Sequence, residues 1–185
     1  MLDTLVTSKT RIKLLIKFFL NSSTRSYLRD LETEFDESTN AIRLELNRFE
    51  EAGMLNSELE GNKKIFFANT KHPLFGDIHN ILLKYTGIDK VVEHVLDRIG
   101  GLKEAWLTGD FARGRDSKVI DLIIVGDDLN MEAIVAYMQK AEELSGRKIR
   151  YLVLKSEERH AVLKEFPEKL LLFENIIQHS ALSTQ

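Results

Sequence analysis

The sequence has no cysteine, only two prolines and no long uninterrupted apolar run. Without cysteine, disulfide bonds and thiolate chemistry are excluded. The longest apolar stretch, residues 14–20, contains a lysine and is too short to span a bilayer. The first eight residues include Asp3 and lack the early basic cluster of a secretory signal. These absences predict a cytoplasmic protein without a membrane partner.

The chain also lacks a strong excess of one charge and any histidine pair at metal-ligand spacing. Its formal net charge is -3, and its five histidines are scattered along the sequence. Zinc sites built on one helix need histidines at short fixed spacings. No set of serine, histidine and acid can be assigned either. We therefore predict no metal site, no cofactor and no catalytic residue.

The composition that remains is that of a soluble globular protein. Hydrophobic residues make up 43% of the chain and charged residues 30%. A length of 185 residues suffices for one large domain or two small ones.

The stretch around which the rest of the sequence is organised is residues 105–126. An apolar run ends at Gly109, a short charged loop follows, and a second apolar run comes next. This pattern predicts two buried strands joined by a loop. Gly109 and Gly114 allow the loop to turn tightly or to approach a ligand closely. Asp121 is the only carboxylate in the second run, where a charge is costly unless it is paired, hydrated or bound to a cation.

This stretch resembles the core of the nucleotidyltransferase superfamily related to DNA polymerase beta, in its minimal form. The matching residues are Gly109, Ala112, Arg113, Gly114, Ser117, Ile120, Asp121 and Leu122. The resemblance implies a loop that binds a nucleotide or another small ligand. Its residues would be Gly109, Asp110, Arg113, Gly114, Ser117 and Asp121.

The departures from that family's motif concern the metal-binding carboxylates. Asp110 replaces the family's serine, and Val119 replaces its first metal-binding aspartate. The third carboxylate comes from a later strand, for which residues 148–154 are the candidate, and they contain no acid. Nucleotidyl transfer needs two cations held by carboxylate oxygens. With Asp121 alone left of three ligands, the sequence predicts a domain that has lost its catalysis.

The first 70 residues predict three short helices followed by a hairpin. Ser8 is a plausible N-cap for the first helix, and Ser38 for a third helix over residues 39–52. A second helix is expected to start at Thr24 or at Arg25 and Ser26. Gly61 and the asparagine after it form a hairpin turn signal before a strand that begins with two lysines.

This order of elements resembles the ArsR-like winged helix-turn-helix regulators. The matching residues are Ser38, Thr39, Ile42, Leu46, residues 48–54 and the wing, residues 60–64. Residues 69–87 look like the segment that links such domains to a nucleotidyltransferase-like domain in bacterial and archaeal fusions. The two resemblances together cover nearly the whole chain.

In the winged-helix fold the third helix enters the major groove of double-stranded DNA. Arginine and asparagine on its outer face suit base edges, and lysines on the wing suit phosphates. The residues predicted to bind DNA are Arg25, Ser26, Ser38, Thr39, Asn40, Arg43, Asn47, Lys63 and Lys64. The alternative is an ordinary solvated polar surface.

The charge of this region opposes DNA binding. Residues 1–87 contain twelve basic and twelve acidic side chains, whereas domains that bind nucleic acids are usually basic. Glu37, Glu45 and Glu58 would lie on or near the DNA side in some placements. Binding would then depend on local charge placement and on dimerisation.

The remaining elements complete an α+β prediction. Residues 1–87 form a winged helix-turn-helix domain with a linking helix, and residues 88–185 form a small α/β nucleotidyltransferase-like domain. The apolar helices predicted over residues 74–85 and 88–99 exceed what one small core needs, which favours a homodimer.

We therefore expect a DNA-binding transcriptional regulator whose second domain is a degenerate nucleotidyltransferase fold, used for dimerisation or ligand sensing. One alternative is an active nucleotidyltransferase targeted by its winged helix. A second alternative is a protein-interaction module in which neither site works.

Overall fold

The computed structural model describes residues 2–175. The sequence also predicts a strongly apolar final segment over residues 170–177. Its last two residues belong to the final ten of the chain, 176–185, which lie outside the described residues. The described chain is a mixed α+β structure with two separate sheets, as the sequence predicted.

The first sheet and its helices occupy the N-terminal half. The elements are α1 (Leu2–Leu5), α2 (Lys9–Leu15), a π-helical turn (Ile16–Leu20), β1 (Arg25–Tyr27), α3 (Leu28–Phe35), α4 (Thr39–Glu51), β2 (Leu55–Glu60) and β3 (Lys63–Ala68). The sheet is antiparallel with the order β1-β3-β2. Ser8 caps α2 and Ser38 caps α4, each by accepting a hydrogen bond from a backbone N–H three residues later.

One prediction for this half was wrong. Arg25 and Ser26 do not start a helix; they belong to β1, whose register pairs Ser26 with Phe66. The helix α3 starts at Leu28 instead. A strand of three residues has too few positions to display an alternating pattern, so no periodic signal marks it in the sequence.

Two helices lead from the first sheet to the second. They are α5 (Phe75–Thr86) and α6 (Ile88–His94), and a 3-10 turn (Leu96–Arg98) follows. The single helix predicted over residues 88–99 is thus interrupted at Val95. The interruption leaves Val95, Leu96 and Ile99 all buried.

The second sheet lies in the C-terminal half. The elements are β4 (Leu102–Thr108), α7 (Gly109–Ala112), β5 (Val119–Gly126), α8 (Met131–Ser145), β6 (Lys148–Leu154), α9 (Arg159–Leu163) and β7 (Leu170–Glu174). The strand order is β6-β5-β4-β7, with β5 and β6 parallel and the other pairs antiparallel. The sequence also predicts a helix that is capped at residues 156–158 and runs through Phe166, and the helix found there, α9, is shorter.

One cluster of buried side chains extends from the N-terminal helices into the second sheet. It includes Ile88, Val91 and Val95, so the apolar face of α6 is covered within the chain. The argument that this helix leaves surplus apolar surface for a dimer was therefore wrong, although the homodimer itself stays a prediction. The predicted domain boundary at residue 87 falls between α5 and α6 and also stays a prediction.

Among the described residues, no helix has both the length and the apolar character needed to cross a membrane.

Candidate functional sites

The helix α4 presents two different faces. Ile42, Leu46 and Phe49 point into the core and are almost completely buried. Arg43 and Asn47 lie on the exposed side, as their spacing predicted. Burial of the apolar face therefore fixes the direction in which the arginine and the asparagine project.

A cavity of about 620 Å³ lies between α4, the start of α3 and the hairpin of β2 and β3. It brings together several residues that the sequence predicted to bind DNA, namely Thr39, Arg43, Asn47, Lys63 and Lys64. Residues that the prediction missed also line it, namely Tyr27, Leu28, Arg29, Asp30, Glu32 and Phe66. Arg29 was missed because the start of α3 was placed too early.

The cations of this cavity differ in whether a carboxylate neutralises them. Within residues 2–175, Arg29, Arg43 and Lys63 form no ion pair. Lys63 lies over the Tyr27 ring, with its Nζ 5.5 Å from the ring centroid. Lys64 is different, because its Nζ lies 2.6 Å from the Glu50 carboxylate. Hydrogen bonds from Lys64 and from the Ser57 hydroxyl hold the pKa of Glu50 below its usual range.

The remaining residues predicted to bind DNA lie outside the cavity lining. Ser26 is buried in β1, and the Ser38 hydroxyl is engaged as the cap of α4. Arg25 donates to the Glu58 carboxylate at 2.6 Å and lies over the Phe67 ring. Asn40 is exposed on the first turn of α4.

The acidic residues predicted to face DNA are engaged within the chain. Glu45 is buried and accepts hydrogen bonds from Arg11 and Arg48. Burial raises the pKa of Glu45, but the bonds and charges of the two arginines outweigh it and lower the pKa overall. Glu37 pairs with Lys13, and Glu58 pairs with Arg25. The near-neutral composition of this half therefore coexists with a cavity whose cations are mostly unpaired.

Asp121, the single carboxylate of β5, forms a bidentate ion pair. The parallel register of β5 and β6 places it beside Arg150, whose Nε and Nη2 donate to its two oxygens at 2.6 and 3.0 Å. This pairing raises the pKa of the Arg150 guanidinium. A Cβ at position 109 would overlap the Asp121 carboxylate, so Gly109 is needed for this close approach. The guanidinium of Arg150 therefore supplies the partner that the single carboxylate of β5 needs.

The described residues contain no cluster of three histidine, cysteine or acidic side chains able to hold a metal ion. Asp121 and Arg150 line a small cavity of about 230 Å³ together with Thr108, Tyr151 and Phe166, among others. None of the other residues predicted for the nucleotide loop lines that cavity. The role of Arg150 was not predicted, because it lies 29 residues after Asp121 and the parallel register that brings the two together leaves no local pattern in the sequence.

Three charged residues of the loop after β4 pair with residues elsewhere in the chain, whereas Asp110, half-buried in α7, forms no ion pair within residues 2–175. Arg113 lies 3.5 Å from Glu168, and Arg115 lies 3.1 Å from Glu34. Asp116 pairs with Arg147, a second arginine that the sequence analysis missed. The Ser117 hydroxyl accepts a hydrogen bond from the backbone N–H of Val119. The loop predicted after β4 is therefore present, and three of its charged side chains pair with residues elsewhere in the chain.

Comparison with known proteins gives limited similarity. No family model and no curated protein matches the sequence. Among solved structures, AF1382 from Archaeoglobus fulgidus is 21% identical, with 44% of this chain and 93% of that chain covered and a TM-score of 0.36. A protein assigned as a nucleotidyltransferase from Sulfolobus solfataricus is 20% identical, with coverages of 53% and 86% and a TM-score of 0.37.

The toxin-antitoxin MntA-HpeT is 17% identical, with 48% of this chain and 73% of that chain covered and a TM-score of 0.38. Similarity at this level does not establish a shared fold or function.

Proposed function

We propose that this protein is a transcriptional regulator that binds double-stranded DNA through the cavity between α4 and the hairpin. The observation that carries the proposal is that Arg29, Arg43 and Lys63 meet at this cavity without a carboxylate partner in the described chain. Unpaired cations on a concave surface attract a polyanion, and DNA releases counterions when its phosphates are neutralised.

The order of elements supports a winged helix-turn-helix reading of the N-terminal half. A helix, a strand, two helices and a hairpin follow one another, and the two-residue turn at Gly61 joins the hairpin strands. In such a fold, α4 enters the major groove and the hairpin contacts the backbone. Its resemblance to the ArsR-like regulators points the same way.

The proposal assigns a role to each exposed polar residue of the cavity. Arg43 and Asn47 lie four residues apart on α4 and would contact base edges through paired hydrogen bonds. Lys63 at the hairpin and Arg29 at the start of α3 would contact phosphates. Lys64 would contribute less, because Glu50 already neutralises it.

We propose that the second half is a nucleotidyltransferase-like domain without catalytic activity. The supporting observation is that Asp121 stands alone, without the other carboxylates that a pair of cations needs, and that both of its oxygens already accept hydrogen bonds from Arg150. Its role would be ligand sensing or dimerisation. A homodimer would bury exposed apolar residues of α8 in this half, Met131, Val135 and Leu144, and light scattering would detect it as a mass twice that of the 21.3 kDa chain.

The test is fluorescence anisotropy with a duplex selected from a random-sequence library. At low salt the protein should bind the selected duplex more tightly than a scrambled duplex of equal length. Failure to distinguish them would contradict the regulator function. A parallel incubation with labelled nucleoside triphosphates and magnesium should give no transfer. Transfer that disappears in Asp121→Asn would support an active nucleotidyltransferase instead.

A further inference from the structure

The loop after β4 is held by the N-terminal half through its backbone. Lys17, in the π-helical turn, donates from its Nζ to the carbonyl oxygen of Arg113 at 2.7 Å. Asn21, just after that turn, is buried and donates from its side-chain amide to the carbonyl oxygen of Ala112 at 3.0 Å. Two consecutive carbonyl groups of the loop are thus satisfied by side chains about ninety residues earlier in the sequence.

A cluster of three charges reinforces this contact. The Lys17 ammonium also lies 2.8 Å from Glu34, and Arg115 of the loop lies 3.1 Å from the same carboxylate. The side chains of Lys17 and Glu34 are only 11% and 10% exposed. An ion pair that is withdrawn from water in this way resists screening by salt, and loss of one partner leaves the other charge buried and unpaired.

The close approach of the two halves requires glycine at position 114. Gly114 has a φ of +76°, and a Cβ there would overlap the Cα of Lys17. The feature that suggested a phosphate-binding loop, a glycine after an arginine, is used here for contact between backbones.

The carboxylate at the centre of this junction belongs to α3, which also lines the proposed DNA cavity. Arg29, Asp30 and Glu32 of α3 line the cavity, and Glu34 lies two residues further along the same helix. The eight residues of α3 span about 12 Å at the rise of an α-helix. A shift of Glu34 would therefore be passed to Arg29 through one short rigid element.

We propose that the loop of residues 109–116 couples the two halves of the protein and, by holding Glu34, sets the position of α3 in the DNA cavity. The effect on DNA rests on the proposed function, whereas the coupling itself does not. The sheet of the second half would influence DNA binding through this junction without contacting DNA.

The experiment uses the full chain and the variants Lys17→Met and Lys13→Met. Lys13 is a suitable control because its Nζ also contacts one carbonyl and one carboxylate, those of Phe35 and Glu37, but both lie within the N-terminal half. Trp106 is the only tryptophan and lies in β4, so its fluorescence reports unfolding of the second sheet, while far-UV circular dichroism reports the whole chain.

In the wild type, the thermal unfolding transitions followed by Trp106 fluorescence and by far-UV circular dichroism should coincide. Lys17→Met should separate them by about 3 °C or more, whereas Lys13→Met should shift both together. Lys17→Met should also raise the Kd for the selected duplex by about 2- to 30-fold. Arg115→Gln alters an exposed side chain and should produce a smaller separation of the transitions and a smaller rise in Kd. It replaces Lys17→Met in the experiment if that variant does not fold.

The possible results separate the coupling from the DNA-binding function. Coincident transitions in Lys17→Met and Arg115→Gln would overturn the coupling. Separated transitions with unchanged DNA affinity would overturn the control of α3. If the wild type binds no DNA but the transitions separate as expected, the regulator function fails and the coupling stands.

Discussion

The cavity beside α4 and the loop after β4 are both rich in charged residues, but their charges meet different partners. In the cavity, Arg29, Arg43 and Lys63 have no carboxylate partner within the described chain. In the loop and the adjoining strand, Arg113, Arg115, Asp116 and Asp121 all form ion pairs. The cations of the first region are therefore available to an external ligand, which is what the proposed function requires, whereas the paired charges of the second region connect parts of the chain.

The two glycines of the second region show what this difference means for the fold. Gly109 makes room for the Asp121 carboxylate and Gly114 makes room for the backbone of Lys17, so both allow contacts within the chain.

The largest effect should come from Gly114→Ala. The added Cβ would overlap the backbone of Lys17. The alanine would also have to adopt a left-handed backbone conformation, which is strained for a residue with a side chain. We expect a loss of about 3 kcal/mol in the free energy of unfolding, measured by urea denaturation. The control is Gly146→Ala, because Gly146 has a similar φ of +67° and no atom within 4 Å of the added Cβ. It should cost only about 1 kcal/mol. Equal losses would show that the two halves do not approach closely at Gly114.

A second effect concerns Glu45 and pH. Because its pKa is lowered in the folded state, Glu45 stabilises the protein above the usual glutamate pKa of 4.5, and this contribution is lost as the pH falls through the lowered value. Glu45→Gln should lower the free energy of unfolding by about 2 kcal/mol at pH 7 and by less at acid pH. Urea titrations of both proteins from pH 7 to about pH 3 would measure the difference. A difference that stays constant with pH would contradict the ion pairs of Glu45 with Arg11 and Arg48.

A third effect concerns the pair formed by Asp121 and Arg150. Asp121→Ala removes both hydrogen bonds and should lower the free energy of unfolding by about 1–2 kcal/mol. Adding Arg150→Ala to that variant should change stability little, because its partner is already gone. DNA affinity should be unchanged in both variants. Loss of DNA binding on removal of Asp121 would contradict the division of roles between the two regions.

The smallest expected effect is a difference between Lys63 and Lys64 in how much each contributes to the salt dependence of DNA binding. Lys63→Ala should weaken binding to all duplexes alike and reduce the slope of log Kd against log salt by about one. Lys64→Ala should reduce that slope less, because Glu50 neutralises Lys64 in the free protein. Anisotropy titrations at several salt concentrations would measure both slopes. Equal slopes would show that internal pairing does not decide which cations contact phosphate.

Two elements beside the cavity, α4 and the hairpin, were predictable because their signals are local, whereas β1 and the start of α3 were not. Ser38 and the glycine after residue 52 mark the ends of α4, and Gly61 marks the hairpin turn. The contacts made by the loop were not predictable. The partners Lys17 and Arg113 are 96 residues apart, and Asp121 meets Arg150 through a parallel register. Such contacts depend on tertiary packing, so the sequence identified the loop and Asp121 but not the groups that engage them.

The most direct test of the central claim is the affinity of wild type and Arg43→Ala for the selected and scrambled duplexes, measured over a range of salt concentrations. Arg98→Ala, which alters an exposed arginine outside the cavity, is the matched control. Wild type and Arg98→Ala should prefer the selected duplex, and Arg43→Ala should raise its Kd by about 10- to 100-fold and reduce the preference. Equal binding of the selected duplex by wild type and Arg43→Ala would contradict the account.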